Sequence, residues 1–247
     1  MRGDVARDLS DSAFEFQRAV WPQIKKWMGG GELHPVEEVA HQGFNKQLDA
    51  LAGIDAWHIK HNYGIRGIAS RVQWMDTTNP RHKRFDTFSI RTKRPSGAET
   101  EFAKRMRIIS DPDGGFLLPE FTVQAYMSEP KRAGELLSVS AVRTRSLYLY
   151  ADLLMSGFID DADYGKDWGR NTAGNGGQEF VWISWDHLAQ ALDARKSIRI
   201  YRKEDEIEIL PDPVWVAQYE NASIEPKHER GAFNNGQPLV SHVHRLS

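Results

Sequence analysis

Gly53-Ile54-Asp55-Ala56-Trp57-His58-Ile59, followed by Gly67-Ile68-Ala69-Ser70-Arg71-Val72-Gln73-Trp74, decides how this chain is read. Both segments carry the β-branched and aromatic residues that favour strands. Lys60-His61-Asn62-Tyr63-Gly64 between them is a hairpin-type turn signal. The first strand opens on an acid, Asp55, and the second closes with Gln73 between two apolar residues.

At 247 residues the chain fits one sizeable domain or two small ones, long enough to bury a core. It contains no cysteine, which excludes disulfides, a thiolate nucleophile and a cysteine zinc site. Any metal must be held by oxygen or imidazole. No apolar run approaches the roughly 18–20 residues that cross a bilayer, and the N-terminus lacks a signal-peptide core. The expectation is a cytoplasmic protein with no membrane partner.

The net charge of −2 hides an uneven distribution. Residues 60–109 hold 12 Lys or Arg against four acids, so 12 − 4 = +8, leaving −2 − 8 = −10 elsewhere. Clustered cations inside an acidic chain suit a local polyanion-binding face. The plainer reading is a solvated charged surface.

Apolar residues at three- and four-residue steps predict an amphipathic helix over 10–28, capped by Asp11 or Ser12, interrupted at Pro22 and ended by Gly29-Gly30-Gly31. An edge strand is expected at 32–40 and a short helical turn within 41–52. Alternation predicts a third paired strand at 85–91. Ser96 is the expected cap of a helix over 98–109. Further on, strands are expected at 115–118, 122–127, 136–142 and 179–185. Helices are expected at 146–155 and, capped by Asp186, to 192. Residues 157–178 read as loop, and the tail as short strands and coil.

The order helix with Glu15, strand, strand opening on Asp55, strand closing on Gln73, strand, helix resembles the PD-(D/E)xK nuclease superfamily, its Holliday-junction-resolvase-like and restriction-like branches in particular. Ser12-Ala13-Phe14-Glu15-Phe16-Gln17 is similar to that family's helix signature. Gly53-Ile54-Asp55 is similar to its aspartate motif, and Val72-Gln73-Trp74 to the end of its final motif. The resemblance covers about residues 10–110.

It implies an α/β (α+β) fold with a restriction-endonuclease-like mixed central sheet flanked by helices. Residues 1–128 would form the nuclease-like core, and 129–247 a partly irregular C-terminal α+β extension packed on it. It further implies a DNA-acting, metal-dependent endonuclease from a phage, mobile-element or defence context, using Mg²⁺ or Mn²⁺. Glu15, Asp55 and Gln73 would be catalytic. Glu15, Asp55, Glu99 and Glu101 would be the metal ligands, with Asp49 a weaker candidate. Arg71, Arg91, Lys93, Arg94 and Lys104 would hold nucleic acid, DNA before RNA.

One departure matters. The family places an acid two residues before its Lys or Gln, and here that position is Arg71, which cannot ligate a cation. Either the acid has migrated to Glu99 or Glu101, or the chain is a catalytically inactive DNA-binding or regulatory protein of a recombination or defence complex. The acidic second half leaves room for a homodimer or a protein partner. His58, His61, His242 and His244 lack identifiable partner ligands and read as structural or exposed. Gly174-Asn175-Gly176-Gly177 has no phosphate-loop spacing.

Overall fold

The computed structural model describes residues 11–36, 53–60, 64–75, 84–111, 117–128, 134–173, 177–192 and 198–204. The expectations for residues 37–40 and 41–52, the turn at 61–63, Asp49, His61, His242, His244 and the tail beyond 204 lie outside them. The fold is mixed α/β, as the sequence leads one to expect. A six-stranded mixed sheet and a three-stranded antiparallel sheet are accompanied by helices.

Residues 11–15 are helical and continue into a π-helical turn, Phe16–Val20, and then helix α1, Trp21–Trp27. The Trp21 N–H reaches the Phe16 carbonyl, one residue further back than in an α-helix. Pro22 lacks an N–H and its ring crowds the preceding turn, and the wider turn accommodates both. Gly29, Gly30 and Gly31 all adopt positive φ and stop the helix, as anticipated. Gly31 also lets the chain pass close to His58, whose ring bonds the Gly30 carbonyl.

Strands β1 (Glu32–Pro35), β2 (Ala56–Lys60) and β3 (Gly64–Trp74) form an antiparallel meander. β5 (Phe121–Met127) then pairs parallel to β3, and β6 (Leu136–Arg143) and β9 (Ile198–Arg202) extend the sheet antiparallel. The order is β1-β2-β3-β5-β6-β9. A parallel pair needs a crossover. Here it carries β4 (Thr87–Lys93) and helix α2 (Glu101–Ser110).

β4 departs from the expected arrangement. It forms a strand with the predicted alternation, but it pairs with β8 (Gln178–Ser184) in the second sheet, ordered β4-β8-β7. Asp86, at φ 48°, makes the transition: its carboxylate accepts from Ser138 and Arg202 of the large sheet while its carbonyl accepts from Trp185. β7 (Trp168–Ala173) lies where loop was expected. Gly169 there runs flat against the Trp182 indole, where a Cβ would approach to 2.7 Å, so pairing with β8 overrides local composition.

Helix α3 (Thr144–Met155) and α4 (Trp185–Ala191) match the expected helices. Two caps differ. Thr100, not Ser96, accepts from Ala103 at the start of α2, because Ser96 is used in the Gly97 turn. Ser184, not Asp186, caps α4. No strand forms over residues 117–119. Among the described residues no helix is long and apolar enough to cross a membrane.

The large sheet buries both faces. Ile68 and Val72 of β3, with Phe121, Val123, Ala125 and Met127 of β5, pack under Phe16, Val20, Trp21, Ile24 and Trp27. Tyr126 and Val142, on the opposite face, join α3, α4 and the second sheet. Trp27 is 1% exposed in the first core. Trp27→Ala is expected to cost about 3–5 kcal/mol, lowering the urea midpoint with an unchanged slope; a midpoint like the parent's would show that the helix is not seated as described.

A candidate phosphate-binding cleft

Alternation along β3 and β5 sends Ala69 and Arg71, and Thr122 and Gln124, away from the N-terminal helix. They floor a cleft of about 390 Å³ walled by β4, α2 and the start of α3. Asp55, Arg71, Arg91, Arg94, Glu101 and Lys104 all border it. These six expected site residues come from a strand entry, two strands, a strand end and a helix, and the crossover brings them together.

The other four lie elsewhere. Glu15 belongs to the helix on the opposite face of the sheet, is fully buried, and bonds Arg18 at 2.5 Å; Arg18 in turn donates to the Gly134 carbonyl. Gln73, further along β3 and level with Tyr126, does not border the cleft. Glu99 pairs with Arg107 at 3.1 Å and Lys93 with Glu179 at 2.9 Å, both on the surface.

The carboxylates in the cleft are held in place. Asp55 Oδ2 accepts the Ser70 N–H at 2.5 Å across the β2–β3 hairpin. Glu101 Oε1 accepts from the Tyr148 hydroxyl at 2.6 Å and from Arg105 at 3.4 Å. Arg105 is 3% exposed, donates to the Gly53 carbonyl at 3.0 Å and lies over the Tyr148 ring. One buried guanidinium thus ties α2 to the residue two before Asp55.

The cations are less well matched. Arg91 sits over the Phe180 ring, and burial, then the nearby Arg94 and Arg71, weaken its hold on its proton. Five cations (Arg71, Arg91, Arg94, Lys104, Arg105) border the cleft against two acids. Such a surplus favours a bound anion.

Among the described residues no group of three or more His, Cys, Asp or Glu side chains gathers to hold a metal ion. Mg²⁺ keeps several waters and commonly binds through one or two carboxylates and the substrate's phosphates; Asp55 and Glu101 are the two carboxylates that border the cleft.

No protein family, curated protein or solved structure matches the chain.

Sequence reasoning passed over Gln124, Arg105 and Tyr148. Arg105 was signalled by its spacing four residues after Glu101, which puts both on one helix face. Gln124 was signalled as a lone amide within Phe121–Met127, a strand otherwise almost wholly apolar.

Burial pushes the Tyr148 hydroxyl well above the usual tyrosine value of 10, helped by Glu101, and burial likewise raises Tyr126 and Tyr150. The folded state then holds these protons more tightly than the unfolded chain. Their contribution to stability is complete below pH 10 and declines as pH rises past it. In an alkaline absorbance titration these three of the seven tyrosines should ionise only with unfolding. Reversible ionisation of all seven near pH 10 in folded protein would contradict the burial described.

Proposed function

We propose that the chain is a metal-dependent phosphodiesterase acting on nucleic acid, DNA in the first instance. The observation that carries this reading is that Asp55 and Glu101 share one cleft with Arg71, Arg91, Arg94 and Lys104. Carboxylates alone would suit a cation, and cations alone would suit any polyanion. Together they suit a phosphodiester approached by a divalent ion.

In this reading Asp55 and Glu101 hold Mg²⁺ or Mn²⁺. When bound, such an ion activates a water and neutralises charge developing on the phosphate. Ser70 and Tyr148 fix the two carboxylates by hydrogen bonds, and Arg105 keeps the start of β2 against α2. Arg71, Arg91 and Arg94 grip phosphate oxygens, arginine being suited by its forked donors. Glu101 takes the place of the acid that the PD-(D/E)xK resemblance would put at Arg71. Glu15 and Gln73, which carry two of that resemblance's three motifs, lie away from the cleft, so the reading rests on the cleft itself and not on the resemblance. Glu15 and Gln73 have no part in the proposed site.

A second reading, a non-catalytic nucleic-acid-binding protein, is favoured by Arg71 itself. It borders the cleft where the resemblance expects a ligand for the metal.

Incubated with Mg²⁺ or Mn²⁺, the purified protein is expected to nick or cut DNA, and Asp55→Ala or Glu101→Ala to abolish this while the circular dichroism spectrum is retained. Undiminished cleavage by folded Asp55→Ala would overturn the catalytic reading. The binding reading expects no cleavage and DNA affinity indifferent to divalent ions. In either case Arg71→Glu with Arg91→Glu should weaken DNA binding and reduce the slope of log affinity against log salt by about two. An unchanged slope would remove the cleft from both.

A further inference from the structure

Gln124 stands in the middle of β5 and is 2% exposed. In the parallel register it is level with Arg71, and both border the cleft. Its Nε2 is buried without a hydrogen-bond partner. Buried side-chain donors are nearly always paired, because an unpaired one forfeits the water it gave up.

The Nε of Arg91 and the Nε of Arg94 are likewise buried and unpaired, and both residues border the cleft, from β4 and its end. Three residues of one cleft, one on its floor and two on its β4 side, therefore each carry an unpaired donor. With Arg71 beside them, the charges of Arg91 and Arg94 favour an anionic acceptor over water, and donors on separate elements favour one with oxygens in several directions. A planar carboxylate presents two oxygens in one plane, whereas a phosphate presents them tetrahedrally.

We infer that the floor of the cleft is a phosphate subsite, in which Gln124 Nε2, beside Arg71, donates to a non-bridging oxygen while Arg91 and Arg94 bind from the β4 wall. The inference rests on the nucleic-acid reading only for the source of the phosphate, which is either a backbone phosphodiester or a free phosphate group. The subsite explains why an amide is buried in an otherwise apolar strand.

The test compares the full-length protein with Gln124→Leu, which keeps the volume and removes the donor, and with Gln124→Met as a second variant. Binding of inorganic phosphate is measured by calorimetry, and binding of a short DNA duplex and of single-stranded DNA by fluorescence anisotropy, all in EDTA. Both variants should bind about tenfold more weakly, the loss expected for one hydrogen bond to a charged group. Their Tm should equal or exceed the parent's, because the buried, unpaired Nε2 contributes no bond within the protein. Parent-like affinity in the variants overturns the subsite, and so does a lowered Tm in both, which would assign Gln124 a structural bond. If the variants bind DNA normally and the parent cuts it, the nuclease reading stands and the subsite falls. Phosphate binding that depends on Gln124, with no DNA binding, keeps the subsite and overturns the nucleic-acid reading. A parent that binds neither overturns both.

Discussion

The parallel pairing of β3 with β5 is the constraint from which the rest of the molecule follows. Two parallel neighbours cannot be joined by a tight turn, so the chain between them must cross one face of the sheet. That crossing carries β4 and α2, and with them most of the basic block, over the face that holds Arg71 and Gln124. The opposite face is closed by the N-terminal helix and its tryptophans. One face is therefore given to packing, and the other is shared between packing at Tyr126 and a polar opening at Gln124.

Within that opening, rigidity and electrostatic tension are divided between two sets of groups. Glu101, Tyr148, Arg105 and the Gly53 carbonyl form a connected, mostly buried set of hydrogen bonds. Its strength comes from the low dielectric around Arg105 and Tyr148, and it holds α2 to the start of β2. Arg71, Arg91 and Arg94 are the opposite case. Burial, and after it the neighbouring Arg94 and Arg71, weakens the hold of Arg91 on its proton. A bound anion would offset the cost of keeping Arg91 charged. Structural ion pairs elsewhere, such as Asp86 with Arg202 at 2.6 Å, show no such imbalance.

Much of the fold was legible from local pattern. Alternation located β4, strand-favouring and apolar runs located β2, β3, β5, β6 and β8, three- and four-residue recurrence located the N-terminal helix, and a cap signal and an apolar run located α2 and α3. What failed was decided by distant partners. Residues 168–173 read as loop because Gly, Asp and Asn dominate their surroundings, yet β8 supplies the hydrogen bonds and Trp182 the packing that make them a strand. β4 read correctly as a strand but not as a member of the second sheet, because alternation specifies a strand's faces and not its neighbour.

The site divides the same way. The sequence by itself determined a helix-then-hairpin opening, an acid before β2, a cluster of cations at 60–109 and the absence of any cysteine chemistry. It could not determine which carboxylates meet. Glu15 and Glu101 are each helix glutamates beside an aromatic residue, and nothing local separates them. The tertiary structure separates them by the face on which each helix packs: the N-terminal helix lies on one side of the sheet and α2 borders the cleft on the other. Gln73 and Arg71 likewise share a face of β3, and only the position of the crossing chain decides that Arg71 meets the cleft.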